Sequence, residues 1–248
     1  RGRDELLSRV GTHPAAAVLV AVAILAGAVT LGAFEWQHGR AAADARALLR
    51  AGRPSDALAV LDAALDRRPG DRELVVLRGR ALFRTPGRAS DGIDAYATAR
   101  ATGALDEIAH EDLVGALARD RSVADRAARV LVDEGPASVA AVLKAAATAS
   151  GVHRLRALAV ARDLGAEDRV NRVEAYGALL SDPDCEIRRS AARRLGEIGD
   201  PAAIPALKKA AQAKVESKGF FGHVRSAPAC GAPEAEAAAK RIEAARLP

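Results

Sequence analysis

The chain has 248 residues, half of them hydrophobic, and a formal net charge of +5 from 37 Lys and Arg against 32 Asp and Glu. That is enough chain for one large or two small domains with a real core. Cations alternate with acids along nearly every segment and only seven aromatics are present (four Phe, two Tyr, one Trp), so no nucleic-acid partner is expected, since such surfaces gather cations and stack bases on rings. The sequence starts at Arg1 and contains no methionine, and it is expected to be a piece of a longer protein.

Residues 1–14 read as a charged juxtamembrane stub. Ala15 to Phe34 is a run of twenty residues without a charge, which at about 1.5 Å per residue covers roughly 30 Å, the hydrocarbon thickness of a bilayer. Pro14 sits at a first-turn position and Trp36 where an interfacial ring would lie. The run is therefore predicted to be a single transmembrane helix, with membrane contact through Ala15 to Phe34. A secretory signal peptide is the alternative, but its apolar core is usually about 7–15 residues. Charge does not orient the span, because Arg1, Arg3 and Arg9 on one side face Arg40, Arg46, Arg50 and Arg53 on the other.

From Arg40 onward apolar residues recur at helical spacing, with no run of alternating β-branched residues. Breaks at Pro69-Gly70, Pro86-Gly87, Gly135-Pro136, Gly151, Asp182-Pro183 and Asp200-Pro201 divide the rest into short antiparallel helices. The predicted fold class is all-α, a single transmembrane helix followed by an α-solenoid of helix pairs with essentially no strand.

Within 41–103, Ala45, Leu48, Ala57, Leu61 and Ala64 recur as Gly79, Leu82, Gly92, Tyr96 and Ala99, offset by 34 residues in the first helix and 35 in the second. Small residues at these places let two helices cross closely while the larger ones fill the gaps. This pattern resembles the tetratricopeptide repeat. Residues 104–150 are predicted as connecting helices at about 106–119, 122–133 and 137–149. Two repeats alone leave an open apolar face, which these helices cap.

Residues 151–216 carry the most specific pattern. The stretch from Leu179 to Leu207, with its cadence IRRSAARRLGEIGDPAAIPAL, resembles a HEAT repeat. Asp182 and Asp200 each precede a proline and are expected to cap helices. Ile187, Ala191, Leu195 and Ile198 make one apolar stripe, and Ile204, Leu207 and Ala211 another. A weaker copy lies 34 residues earlier, with Arg154, Ala157, Ala161 and Leu164 matching Arg188, Ala191, Leu195 and Ile198. Residues 217–248 read as a Gly-rich loop and a C-terminal helix. Phe220 and Phe221 in that loop are read as a plug over the end of the repeat core, with a partner contact as the second reading.

No catalytic residue is expected. A phosphate-binding glycine loop, HExxH, a nucleophile elbow and CxxC are all missing from the sequence. The five histidines, His13, His38, His110, His153 and His223, are scattered. Cys185, His223 and Cys230 lack the close spacing and the fourth ligand of a metal site, so no metal and no cofactor are expected. The only two cysteines are Cys185 and Cys230. In an oxidising compartment they are expected to pair, and in a reducing one to stay as thiols.

The whole layout, from the basic stub and apolar span to the terminal GFFG and CGAPEAEAAAKRI, resembles the extracytoplasmic part of transmembrane serine/threonine protein kinases of myxobacteria and their relatives. The resemblance implies a kinase domain ahead of Arg1, a disulfide between Cys185 and Cys230, and a single-pass bacterial inner-membrane protein with residues 35–248 in the periplasm. It implies a non-catalytic sensor that binds a protein or peptide ligand. A non-signalling scaffold of the cell envelope is the alternative.

Overall fold

The computed structural model describes residues 40–218 and 224–246. It divides into two compact units, one ending at Arg78 and one beginning at Gly79. Each unit is built from short helices.

The first unit contains a helix over 40–50 (α1), α2 (Pro54–Leu65) and the N-terminal part of α3 (Arg72–Arg84). Pro54 opens α2, where its missing N–H costs nothing and its φ is already helical. Ala45, Ala57 and Leu61 are fully buried, as the small-residue crossing requires. Leu49 is buried more deeply than Leu48, which is half-exposed, so the gap-filling leucine stands one position later than the spacing suggests. On the rim, Arg78 pairs with Asp62 at 2.6 Å and Arg46 pairs with Glu73.

The second unit starts with the C-terminal part of α3 and continues through α4 (Ala89–Arg100), α5 (Glu107–Ala116), α6 (Arg121–Glu134), α7 (Val139–Thr148) and α8 (Gly151–Asp163). α3 and α4 cross with their backbones nearly touching. A Cβ added at Gly79 would lie 2.6 Å from the Tyr96 ring, and one at Gly92 would lie 2.5 Å from the Phe83 ring. The Phe83 and Tyr96 rings stack across that crossing with centroids 5.4 Å apart, a favourable aromatic separation. Side-chain oxygens close the helix starts: Asp106 accepts from the Ala109 N–H at 2.9 Å and Asp120 from the Val123 N–H at 3.1 Å. Such caps satisfy amides that the helix itself leaves without partners.

The unit ends with α9 (Arg172–Gly177), α10 (Cys185–Ile198), α11 (Ile204–Ala211), the strands β1 (Lys214–Lys218) and β2 (Val224–Pro228), and α12 (Ala232–Ala244). Ile187, Ala191 and Leu195 of α10 and Leu207 of α11 are buried, following the two predicted stripes. Asp200 accepts from the Ala202 N–H at 2.9 Å. Asp182 does not cap α10. Asp184 does so, accepting from the Glu186 N–H at 2.8 Å, while Asp182 accepts from the Asp184 N–H at 2.9 Å and shapes the turn before the helix.

Two expectations are corrected. The described region is not strand-free, because β1 and β2 form an antiparallel hairpin pairing Lys214 with Pro228 through Lys218 with Val224. The single membrane-spanning helix is also set aside. The longest described helices, α6 and α10, have 14 residues each, about 21 Å of rise against a roughly 30 Å hydrocarbon layer. Among the described residues no helix is long and apolar enough to cross a membrane, and the run from Ala15 to Phe34 lies outside them. Over the described residues the fold class is accordingly helical repeats with one short hairpin. The assignment to the bacterial inner membrane, with residues 35–248 periplasmic, and the membrane contact both lose their support.

Candidate functional site

Inside the second unit, a groove of about 520 Å³ opens between the end of α9, the face of α11 and the base of the hairpin. One wall is Gly177, Leu180 and Pro183, and the other is Ala206, Ala210 and Ala213. The alanines create the room. Where a usual helix–helix seam would carry leucines to fill the space, α11 presents methyl groups, so the wall stands back from its neighbour. A volume of this size lies within the ordinary range of ligand pockets, and such pockets are mostly apolar with a few placed polar groups.

Arg188 also lines the groove. Its guanidinium donates to three backbone carbonyls: Asp182, Pro183 at 2.9 Å and Cys230 at 2.7 Å. These bonds tie the loop before α10 to the lead-in of α12. The second cation, Lys209, is exposed on the α11 wall. Among the described residues the one carboxylate lining the groove is Asp182, which the Asp184 amide already engages.

The lead-in of α12 is held at the same place. Cys185 and Cys230 stand with their Cα atoms 5.6 Å apart, within the separation a disulfide needs. α12 packs against both α10 and α11, burying Ala232, Ala235, Ala238, Ala239 and Ile242. A Cβ added at Gly196 of α10 would lie 2.9 Å from the Ala238 Cβ, so the two helices meet at minimum separation. Arg189–Glu234 at 3.2 Å and Lys208–Glu243 at 2.7 Å flank the seam.

The same unit holds a buried polar cluster that no sequence pattern singled out. Tyr176 donates to Glu167 at 2.8 Å, and Arg194 donates to the other carboxylate oxygen of Glu167 at 2.6 Å and to Glu197 at 2.9 Å. Burial acts to raise the Glu167 carboxyl, but the Arg194 guanidinium and the Tyr176 hydroxyl outweigh it and hold it below the ordinary carboxylate range. A second cluster joins α4 and α5, where the Tyr96 hydroxyl donates to Asp112 at 2.6 Å. Burial raises the Asp112 carboxyl despite that bond and the neighbouring Arg80 and Arg84.

His110 is buried with Nε2 3.4 Å from Glu134, whose same oxygen accepts from the Leu105 N–H at 2.6 Å. His153 donates from Nε2 to the Val114 carbonyl at 2.9 Å. Both are fastened to structural neighbours. His13, His38, His223, Phe220 and Phe221 lie outside the described residues. Among the described residues no three His, Cys, Asp or Glu side chains are grouped so as to hold a metal ion. Arg188 was legible in principle: it recurs 34 residues earlier as Arg154, which donates to the Ala147 carbonyl at 3.2 Å, so each arginine reaches back to backbone that precedes its own helix, the end of α7 in one case and the loop before α10 in the other.

Residues 155–218 match the family model of HEAT repeats, and residues 45–81 match that of the tetratricopeptide repeat. Both are units of stacked helices. Over 235 residues the chain is 32% identical to serine/threonine-protein kinase pkn2 of Myxococcus xanthus, an alignment that takes in 89% of this chain and 26% of that protein. The chain thus spans about a quarter of that relative's length. No solved structure matches it. The groove lies inside the HEAT-matched segment except for Ala229 at the hairpin base.

Proposed function

We infer that this chain is a non-catalytic helical-repeat interaction module that binds a protein or peptide and serves as the ligand-sensing part of a serine/threonine kinase signalling protein. The observation that carries the reading is the pairing of two repeat types in one chain related in sequence to such a kinase. Stacked helical repeats commonly present extended surfaces to protein partners. The described side chains support the same reading, since their polar clusters are engaged in capping and in holding helices together. Tetratricopeptide-like repeats over 41–103 and HEAT-like repeats over 151–216 are the working parts, with connecting helices over 104–150 and the segment 217–248 closing the end. Cys185 and Cys230 form a disulfide that fastens this closing segment.

The test places a photo-cross-linking amino acid at exposed positions across 151–213 of the full-length protein in its own cells. The expected result is a reproducible polypeptide adduct concentrated on one face, with kinase autophosphorylation changing when that face is mutated. An adduct without any effect on phosphorylation favours a scaffold. No adduct at any position overturns the interaction reading.

A further inference from the structure

We propose that the groove between α9 and α11 binds an extended peptide segment of a partner protein in which an aliphatic side chain stands next to a carboxylate. This rests on the reading of the chain as an interaction module and specifies what one of its surfaces takes. The aliphatic group lies against Leu180, Ala206 and Ala210, and the carboxylate meets Lys209.

The groove carries unbalanced positive charge. Among the described lysines outside the hairpin, Lys144 pairs with Glu111 at 3.2 Å, Lys208 with Glu243 at 2.7 Å and Lys240 with Glu236 at 2.6 Å, while Lys214 at the hairpin base is exposed like Lys209. Lys209, next in sequence to one of these and turned to the groove wall, has no carboxylate partner among the described residues. Arg188, like Arg193, which reaches only the Ser190 hydroxyl, lacks a carboxylate partner among the described residues. Arg189 and Arg194 have carboxylate partners, whereas Arg188 is held only by neutral carbonyls, so its charge is not cancelled. Against these two cations the groove sets one carboxylate, Asp182. An anionic group is therefore favoured over a cationic one. The lining is otherwise aliphatic, and a free inorganic anion would leave that surface in water. A peptide bearing both groups uses both features.

The test uses the 248-residue chain and pools of fluorescein-labelled hexapeptides with Leu fixed at the third position and Glu, Gln or Lys at the fourth, the others randomised. The expected result is Glu pools binding about fivefold more tightly than Lys pools, the scale of a surface ion pair made and then reversed. Lys209→Glu should invert that order, and Ala210→Trp, which fills the groove, should remove binding of every pool. Lys209 is exposed, so its variant keeps the fold, and unchanged circular-dichroism melting verifies this for both. Equal binding of all pools, no binding of any pool, or a Glu preference untouched by Lys209→Glu overturns the proposal. Peptide binding that survives Ala210→Trp removes the groove and leaves the interaction reading standing.

Discussion

Glu167 is a buried carboxylate whose protonation is expected to weaken the C-terminal repeats in acid. Its carboxyl is held below the ordinary value near 4.5 once Arg194 and Tyr176 have outweighed burial, so the unfolded chain binds the proton more readily than the folded one. The stability this provides is present above pH 4.5 and is lost as pH falls through the depressed folded value. The melting temperature of the chain is expected to fall as pH drops below about 4.5, more steeply than in Glu167→Gln. At neutral pH that variant should be less stable by about 2–3 kcal/mol, because the Arg194 cation and the Tyr176 hydroxyl lose their shared partner. Equal pH profiles in thermal melts of the two proteins would contradict this role. None of this was legible beforehand, because Glu167, Tyr176 and Arg194 come from three separate segments and no local pattern links them.

Among the elements, α12 depends most on its fastening. Four of its five buried side chains are alanines, which remove little apolar area from water, so α12 contributes little docking energy of its own. A bridge between Cys185 and Cys230 closes a loop with a sequence separation of 45. In the chain-entropy model this restricts the unfolded state by about 4 kcal/mol, with realised gains often nearer 2–3. Cys230→Ser, or reductant, should therefore lower stability by about 2–4 kcal/mol and speed hydrogen exchange in α12 before α10. A melting curve indifferent to both would remove the bridge. The helices themselves were readable from their 3.6-residue spacing, and the crossings from Gly79, Gly92 and their repeat equivalents. The hairpin was not, because KVESK and VRSAP lack the alternating apolar pattern by which a strand is recognised and pair through their backbones. The cap of α10 was assigned two residues early for a similar reason: Asp182 and Asp184 are equally good caps in sequence, and the intervening turn decides between them.

For the whole molecule, the sequence pattern identified both repeat types, and the comparisons match them over 45–81 and 155–218. The membrane assignment rested on an apolar run outside the described residues, and the described helices give it no support. The groove could not be read ahead of the structure, since its walls come from 177–183, 206–213 and 229 and its distinguishing feature is what the alanines leave unfilled. The central claim is that the HEAT-like region is a ligand-binding surface. Hydrogen–deuterium exchange of the chain with and without a saturating Leu-Glu hexapeptide tests it most directly. Slower exchange confined to 177–183 and 206–213 is the predicted result. Unchanged exchange there, with or without protection in 40–84, would contradict it.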